Sequence, residues 1–341
     1  TLLGLFKFLR TKVKQEPGAH METTTQDLSN FTRPVGFYIR GFYALKNSEY
    51  YFIFLAVIYV FTLAVNLTLM VIIWFSEVLH TPKYMAVFSL AVVDVSLSSA
   101  LIPKAINMYL FDSKFVYFNA CLAQMFFVDF FASMEAFSLC VLAYDRLIAI
   151  CFPLRSHTIN TNRKMMLVIM VSCWVLAFAI LVAALVLITH LSFCKPVPTV
   201  MSYFCDHGPI FQIACSDNSP NWKITVFFLF AVIYVPLGFI LMSYVFIILA
   251  VSRITSLDGR WKTFKTCSVH LILVAIFFTP FLVTYTITWI YTKIDGNTRI
   301  LNTSLSAVLP PLLNPIIYTL KTEEVLEQIR KTFWRARHKP D

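Results

Sequence analysis

The sequence predicts an all-α membrane protein, a bundle of seven transmembrane helices followed by a short amphipathic helix. Of its 341 residues, 58% are hydrophobic and 13% are charged, whereas a soluble domain carries about 25% charged residues. Seven stretches are apolar enough to cross a bilayer, and a crossing takes about 20 residues. Because lipid forces each stretch to satisfy its own backbone hydrogen bonds, each is predicted to be a helix.

Charged residues interrupt only some of the predicted spans. The first to seventh spans are predicted at residues 50–76, 84–110, 115–144, 167–189, 224–252, 267–292 and 300–320. The second contains Asp94 and Lys104, the third contains Asp129 and Glu135, and His270 lies in the sixth. A carboxylate at mid-bilayer costs about 2.5 to 3.5 kcal/mol. Each of these acids therefore needs a partner or a neutral state.

The spans divide the chain into a tail at residues 1–49, the bundle at 50–320 and a terminal segment at 321–341. Lys and Arg are more numerous in the loops and terminal segment that an external N-terminus places inside, although the tail is itself basic. The positive-inside rule therefore favours an extracellular tail in a multi-pass membrane protein. No cleavable signal peptide is predicted, and Met21 is a candidate native start.

The terminal segment contains the predicted amphipathic helix. Val325, Leu326, Ile329 and Phe333 recur at helical spacing, with acidic residues first and basic residues last. Such a helix lies on the inner leaflet with its cations facing anionic lipid, so membrane lipid is an expected partner. The net charge of +10 is divided between the two membrane faces, so no nucleic-acid partner is predicted.

The cysteines divide between two redox environments under this topology. Cys121, Cys194, Cys205 and Cys215 face the oxidising outer space, where disulfides persist. Four cysteines allow three pairings, and the residues alone leave all three open. In the outer tail, Asn30 begins an Asn-Phe-Thr glycosylation motif.

The third span ends in a charged pair, Asp145 and Arg146. Taken alone, the pair is equally typical of a helix end anchored at the interface. However, residues 142–154 resemble the Met-Ala-Tyr-Asp-Arg-Tyr-Val-Ala-Ile-Cys-x-Pro-Leu signature of odorant receptors, a branch of the rhodopsin-like G-protein-coupled receptors. Residues 262–271 resemble that branch's Lys-Ala-Phe-Ser-Thr-Cys-x-Ser-His-Leu, and residues 310–318 its Pro-x-Leu-Asn-Pro-x-Ile-Tyr.

The resemblance covers roughly residues 36–331 and includes some departures. Leu147 replaces the second tyrosine of the signature, and Val65 stands where a glycine is usual. Residues 277–280, Phe-Phe-Thr-Pro, replace Phe-Tyr-Gly and leave the motion of the sixth helix open. Residues 41–43 and 50–52 resemble fish-type members of the family.

The resemblance implies a rhodopsin-like bundle with a lid, a switch and a central polar cluster. The lid would be tied by disulfides between Cys121 and Cys205 and between Cys194 and Cys215. The residues implied for the G-protein switch are Asp145, Arg146, Tyr244, His270, Asn314, Pro315 and Tyr318. The cluster would comprise Asn66, Asp94, Glu135 and Asn314, with sodium, a proton or water between Asp94 and Glu135. A static polar contact between helices is the alternative for this cluster.

A ligand pocket is expected near the outer end of the third span. Asp129 lies one position past Val128, which occupies the position where amine receptors of the wider class carry a ligand-binding aspartate. The hypothesis is that Asp129 pairs with a cationic group of the ligand, and a bond to a neighbouring helix is equally expected. The remaining pocket candidates, chosen by facing and depth, are Ala132, Ser133, Ala136 and Tyr285.

The expected function is that of an odorant receptor in the plasma membrane, in the cilia of olfactory sensory neurons by family resemblance. A small odorant would bind from outside and activate a heterotrimeric G protein of the stimulatory olfactory type, raising cyclic AMP. No enzyme activity and no cofactor are predicted, because the sequence lacks a nucleotide-binding glycine loop and metal-ligand spacing. The alternatives are a receptor of the same class for a non-odorant ligand, such as a peptide or amine, and a transporter or channel.

Overall fold

The predicted spans are helices in the computed structural model, which describes residues 33–41, 48–152, 163–253, 256–287, 296–321 and 325–328. Within these ranges, seven helical segments are long and apolar enough to cross a membrane. The prediction of a seven-helix transmembrane bundle is therefore confirmed. The first four spans are α1 (Ser48–Phe75), α2 (Pro82–Leu110), α3 (Phe118–Cys151) and α4 (Arg163–Thr189).

The remaining spans contain two π-helical turns. A short helix, α5 (His207–Gln212), lies in the loop before the fifth span. The fifth span joins α6 (Ser219–Leu229) to α7 (Val235–Ser252) through a π-helical turn at Phe230–Tyr234. The sixth span is α8 (Leu257–Leu282) with a π-helical turn at Val283–Ile287, and the seventh is α9 (Gly296–Lys321).

Several helices extend beyond the apolar runs that predicted them. The third span continues past Asp145 to Cys151, and the sixth begins at Leu257 rather than at Cys267. The Ser256 side chain accepts a hydrogen bond from the Gly259 amide (3.3 Å), which caps the sixth span before its apolar part begins. An apolar run marks the part of a helix that lies in lipid, whereas a capped helix continues into water.

The third span is the centre of the bundle. It packs against the second, fourth, fifth and sixth spans, while the first packs against the second and seventh. Large apolar side chains on the outer surface are exposed, including those of Val57, Trp74, Phe178 and Phe246. Lipid is the solvent for this surface, so the exposure of these side chains costs no hydrophobic free energy.

A small three-stranded sheet covers the end of the bundle opposite Arg146. Its strands are β1 (Gly36–Ile39), β2 (Phe115–Tyr117) and β3 (Thr199–Val200), in the order β2-β1-β3. The central strand β1 is antiparallel to β2 and parallel to β3. Phe37 and Ile39 of this strand are fully buried. The sequence did not predict this sheet, because strands of two to four residues are too short to show alternation.

The terminal segment is described only at residues 325–328, which are helical. Val325 is buried in the core at the inner end of the bundle. Ile329 and Phe333 of the predicted amphipathic helix lie outside the described residues. The same holds for the glycosylation candidate Asn30 and the candidate start Met21.

Candidate functional site

A cavity lies between the third, fifth and sixth spans, toward the end that carries the sheet. Its volume is about 30 Å³, enough for a few water molecules. It is lined by Asp129, Ala132, Ser133, Phe228, Leu229, Val232, Ile233, Phe277, Phe281 and Tyr285.

Four of the six predicted pocket residues line this cavity, and Val128 and Ala136 do not. Asp129, Ala132 and Ser133 reach it from the third span and Tyr285 from the sixth. Val128 is buried instead in a cluster formed with the first, second and seventh spans. Successive residues of a helix point about 100° apart, so the neighbours Val128 and Asp129 face different partners.

The sequence did not predict the lining residues of the fifth span. Phe228, Leu229, Val232 and Ile233 lie at or just before the π-helical turn Phe230–Tyr234. The fifth span is apolar on all sides, so its sequence gives no signal for the face that turns inward. The π-helical turn also shifts the register of that face, and no sequence motif predicts this turn.

Asp129 presents a carboxyl group to this cavity. The Ser133 hydroxyl donates a hydrogen bond to the backbone carbonyl of Asp129 (2.6 Å) rather than to the side chain. Among the described residues, no side chain donates a hydrogen bond to the Asp129 carboxyl group or forms a salt bridge with it. The bond to a neighbouring helix that the sequence left open is therefore not found in this part of the chain.

The loop before the fifth span lies at the end of the bundle that carries the sheet. Disulfides join Cys121 to Cys205 and Cys194 to Cys215, which are the two pairings implied by the resemblance. Asp206 forms a salt bridge with Arg299 at the start of the seventh span (2.7 Å). The loop is therefore tied to the third span by a covalent bond and to the seventh by an ion pair.

His207 lies beside this ion pair, at the start of α5. Its Nδ1 atom is 3.2 Å from the hydroxyl of Thr225 in the fifth span, and its ring packs on Phe211. Burial lowers the pKa of His207 to about 4, although the charge of Asp206 opposes this shift. At neutral pH the imidazole is therefore an uncharged, buried ring.

Asp94, Glu135 and Asn314 meet at the centre of the bundle. The Asn314 amide Nδ2 lies 3.1 and 3.2 Å from the two Asp94 carboxyl oxygens and 3.2 Å from Oε1 of Glu135. The second oxygen of Glu135 has no hydrogen-bond partner among the described residues. The second, third and seventh spans therefore converge on one amide group. Sodium at Asp94 and Glu135 stays a prediction.

Asn66 makes its hydrogen bonds to backbone carbonyls. Its amide donates hydrogen bonds to the carbonyls of Thr62 (3.0 Å) and Pro311 (2.9 Å). Pro315 has no N–H, so it cannot bond to Pro311 four residues earlier as a helical residue normally would. Asn66 supplies the missing donor from the first span. Its membership of the central polar cluster stays a prediction.

Three spans are joined at the inner end through His270. Its Nε2 atom is 3.1 Å from the Leu139 carbonyl in the third span, and its Nδ1 atom is 2.9 Å from the Tyr244 hydroxyl in the fifth. A carbonyl can only accept, so Nε2 donates to Leu139. The Tyr244 hydroxyl also donates to the Cys267 carbonyl (3.2 Å), so it contacts two groups of the sixth span. We call this Leu139, His270 and Tyr244 arrangement the inner lock.

Three further predicted switch residues, Asp145, Arg146 and Tyr318, lie near the inner lock, whereas Asn314 lies at the centre of the bundle. Asp145 is buried, and Arg146 lies within electrostatic range of Tyr244, His270 and Tyr318. Tyr318 is buried at the inner end of the seventh span, and its hydroxyl has no partner among the described residues. The structure therefore gathers these side chains at one end of the bundle.

One buried apolar cluster connects the cavity to the inner lock. It contains the cavity residues Leu229, Val232, Ile233 and Phe277, and also Leu139 and Tyr244 of the inner lock. Close-packed cores transmit displacement because they contain few voids. A change in the cavity is thereby linked to the inner lock through side chains in contact.

Comparison with known proteins identifies the family of this chain. The sequence profile described as olfactory receptor matches residues 55–336, from the first span to beyond the seventh. The chain belongs to the olfactory receptor family. This receptor is 32% identical to olfactory receptor 2AT4 of Homo sapiens over 314 residues, which span 91% of the chain and 96% of that protein.

Other relatives of this olfactory receptor show similar identity. Olfactory receptor 6F1 of Homo sapiens is 33% identical over 315 residues, covering 91% of the chain and 100% of that protein. Olfactory receptor 1f45 of Rattus norvegicus is 32% identical over 286 residues, covering 84% and 90%. The family consists of G-protein-coupled receptors, so the prediction of a receptor rather than an enzyme is confirmed. The resemblance to fish-type members stays a prediction.

Proposed function

We propose that this olfactory receptor binds a small odorant in the cavity and activates a heterotrimeric G protein of the stimulatory olfactory type, so that cyclic AMP rises. The observation that carries the proposal is the buried cluster that joins Leu229, Val232 and Phe277 at the cavity to Leu139 and Tyr244 at the inner lock. The third, fifth and sixth spans supply both sites, so a ligand that moves these spans acts on both.

The orientation that we propose places the sheet and the loop outside the cell. The Cys121–Cys205 and Cys194–Cys215 disulfides lie at that end, and disulfides persist in oxidising compartments. Cys140, Cys151, Cys173 and Cys267 are free. The tail at residues 1–49 is then extracellular and the terminal segment at 321–341 cytoplasmic, in a receptor of the plasma membrane.

The proposed mechanism is a shift between two arrangements of the inner end. Because the cavity holds about 30 Å³, an odorant must displace its lining side chains to enter. Pro280 and Pro315 interrupt helical hydrogen bonding and allow the sixth and seventh spans to bend. Arg146 turns toward the G protein when the sixth span moves outward. A shift from 1:99 to 99:1 needs about a 10⁴-fold preference of the odorant for the active arrangement.

The proposal is tested with an odorant panel on cells that express the receptor, with cyclic AMP as the readout. We expect a concentration-dependent rise for the wild type and a loss of at least about tenfold in signal for Arg146→Ala, as removal of a charged contact predicts. Arg40→Ala, which changes an exposed residue beside the sheet, is the matched control. Surface labelling must find all three proteins at the plasma membrane. Full signalling by surface-expressed Arg146→Ala would contradict the proposal.

A further inference from the structure

The cavity combines one acid with several aromatic rings. Phe277, Phe281 and Tyr285 line it from the sixth span at intervals of four residues. The Phe277 and Phe281 ring centroids are 5.2 Å apart, and Phe281 stacks on Tyr285 at 6.3 Å. Asp129 faces these rings across the cavity from the third span. A carboxyl group beside several aromatic rings suits an organic cation, because ring faces attract positive charge.

The protein does not supply that cation within the described residues. Arg299 is the cation at the start of the seventh span, and its guanidinium is bound to Asp206 at 2.7 Å. The other described salt bridge, between Lys114 and Asp112 at 2.6 Å, lies in the loop after the second span. The Asp129 carboxyl group has no described partner, as shown above. A carboxylate among mostly apolar side chains is costly unless a cation joins it.

We infer that this cavity selects amines: the ligand's ammonium group binds the Asp129 carboxylate, and its hydrocarbon part lies against Phe281 and Tyr285. This inference rests on the proposed function and names the ligand class. A neutral amine gives the same ion pair, because it accepts the proton that an uncharged Asp129 carboxyl group would carry. The cavity's modest volume favours a primary amine over a bulky quaternary one.

The test compares ligands that share a hydrocarbon part and differ in the polar group at its end, which is an amine, an alcohol or an acid. Cells expressing the wild type receive 2-phenylethylamine, 2-phenylethanol and 3-phenylpropionic acid, and then the unbranched six-carbon amine, alcohol and acid, with cyclic AMP recorded. We expect the amine of each set to be more potent than its alcohol by at least about tenfold, since a buried charge pair is strongly favoured over an unpaired charge. The acids should be inactive, because their carboxylates repel that of Asp129.

Substitutions test whether Asp129 causes the preference for amines. Asp129→Asn should lower amine potency by about 100-fold, as loss of one partner of a buried charge pair predicts, and Asp129→Glu should restore part of it. Asp112→Asn makes the same chemical change in the loop, where the Asp112 side chain is 82% exposed, and should leave amine potency unchanged. Surface labelling of each variant separates lost binding from lost folding.

Each outcome decides between the two proposals. Alcohols equal to amines in the wild type, or full amine potency in Asp129→Asn, would overturn the amine inference and leave the odorant-receptor proposal standing. A neutral ketone or ester series more potent than the amines would show that Asp129 is an uncharged hydrogen-bond donor, which also overturns it. A surface-expressed receptor silent to every volatile in the wider panel would instead contradict the proposed function.

Discussion

Two carboxyl groups share a single amide at the centre of the bundle. Asn314 has two amide hydrogens for three contacts of 3.1 to 3.2 Å with Asp94 and Glu135. Two ionised acids at this depth would repel each other and lack solvation. One of them must therefore be neutralised, by a proton or by a cation.

Glu135→Gln is expected to keep the receptor folded at equal or greater stability. Glutamine removes one acid and can donate a hydrogen bond to Asp94. Asn314→Ala should destabilise the receptor by about 2 to 4 kcal/mol, because both acids then lose their donor. Thermal denaturation of the purified protein in detergent checks both values. Equal destabilisation by the two substitutions would contradict this account.

Acidification should weaken the outer end of the receptor through His207. An unfolded histidine takes up a proton near pH 6.5, whereas burial lowers the pKa of His207 in the folded protein to about 4. The stabilisation by neutral His207 is complete above pH 6.5 and is lost as the pH falls from 6.5 to 4, by at most about 3 kcal/mol. Denaturation midpoints measured from pH 7.5 to 4.5 should therefore decline.

The matched variant for this pH dependence is His207→Gln. Glutamine has no titratable group and keeps a polar atom near the Thr225 hydroxyl. Its stability should decline less between pH 6.5 and 4.5 than that of the wild type. The same decline in both proteins would show that other groups cause it.

At the scale of the helix, the seventh span depends on the first for one hydrogen bond. Pro315 leaves the Pro311 carbonyl without a helical donor, and Asn66 supplies one at 2.9 Å. Asn66→Leu should destabilise the receptor by about 1 to 3 kcal/mol, because a buried carbonyl becomes unpaired.

Pro315→Ala should largely rescue Asn66→Leu, because alanine restores an N–H four residues after Pro311. The measurement is a double-mutant cycle on thermal stability in detergent. Purely additive effects of the two substitutions would show that Asn66 does not act through this carbonyl.

The strand β1 requires glycine at its first residue. A Cβ atom at Gly36 would collide with the backbone carbonyl of Val116 in the neighbouring strand. Gly36→Ala should therefore cost about 1 to 3 kcal/mol through forced backbone shifts. Gly238→Ala is the control, since nothing lies within 4 Å of a Cβ atom there. Surface expression should fall for Gly36→Ala and hold for Gly238→Ala.

The sequence predicted the features that the lipid environment sets, and it did not predict the features that contacts between helices set. Hydrophobic length located the seven spans because lipid demands it, and depth along the third span placed Asp129 and Ser133 at the cavity. The facing of Val128, the fifth-span lining from Phe228 to Ile233 and the Asn66 contact depend on how helices rotate against one another. In spans that are apolar on all sides, no periodic pattern records that rotation.

At the scale of the whole molecule, the cavity and the inner lock form one coupled system. Coupling is reciprocal, so a G protein raises agonist affinity by the same factor by which agonist raises G-protein affinity. Tyr244→Phe removes the hydroxyl that contacts His270 at 2.9 Å, far along the bundle from the cavity. We expect it to change the coupling factor by about threefold or more.

The coupling factor is the ratio of the agonist affinities measured with and without G protein. The measurement uses purified receptor in lipid nanodiscs. Tyr59→Phe is the control, because it removes a hydroxyl that bonds Ser99 at 3.1 Å between the first and second spans. Its coupling factor should equal that of the wild type. An unchanged factor in Tyr244→Phe would mean that the coupling does not depend on the Tyr244 hydroxyl.

The position of β1 also dictates the order of events during biosynthesis. This strand leaves the ribosome before any span, yet its neighbours β2 and β3 follow the second and fourth spans. In the orientation that we propose, the earliest strand can pair with β2 only after the second span has been inserted, and with β3 only after the fourth. The Cys121–Cys205 bond closes across the same interval. A nascent receptor whose fourth helix inserts badly would thus leave one edge of β1 and the Cys121 thiol without their partners.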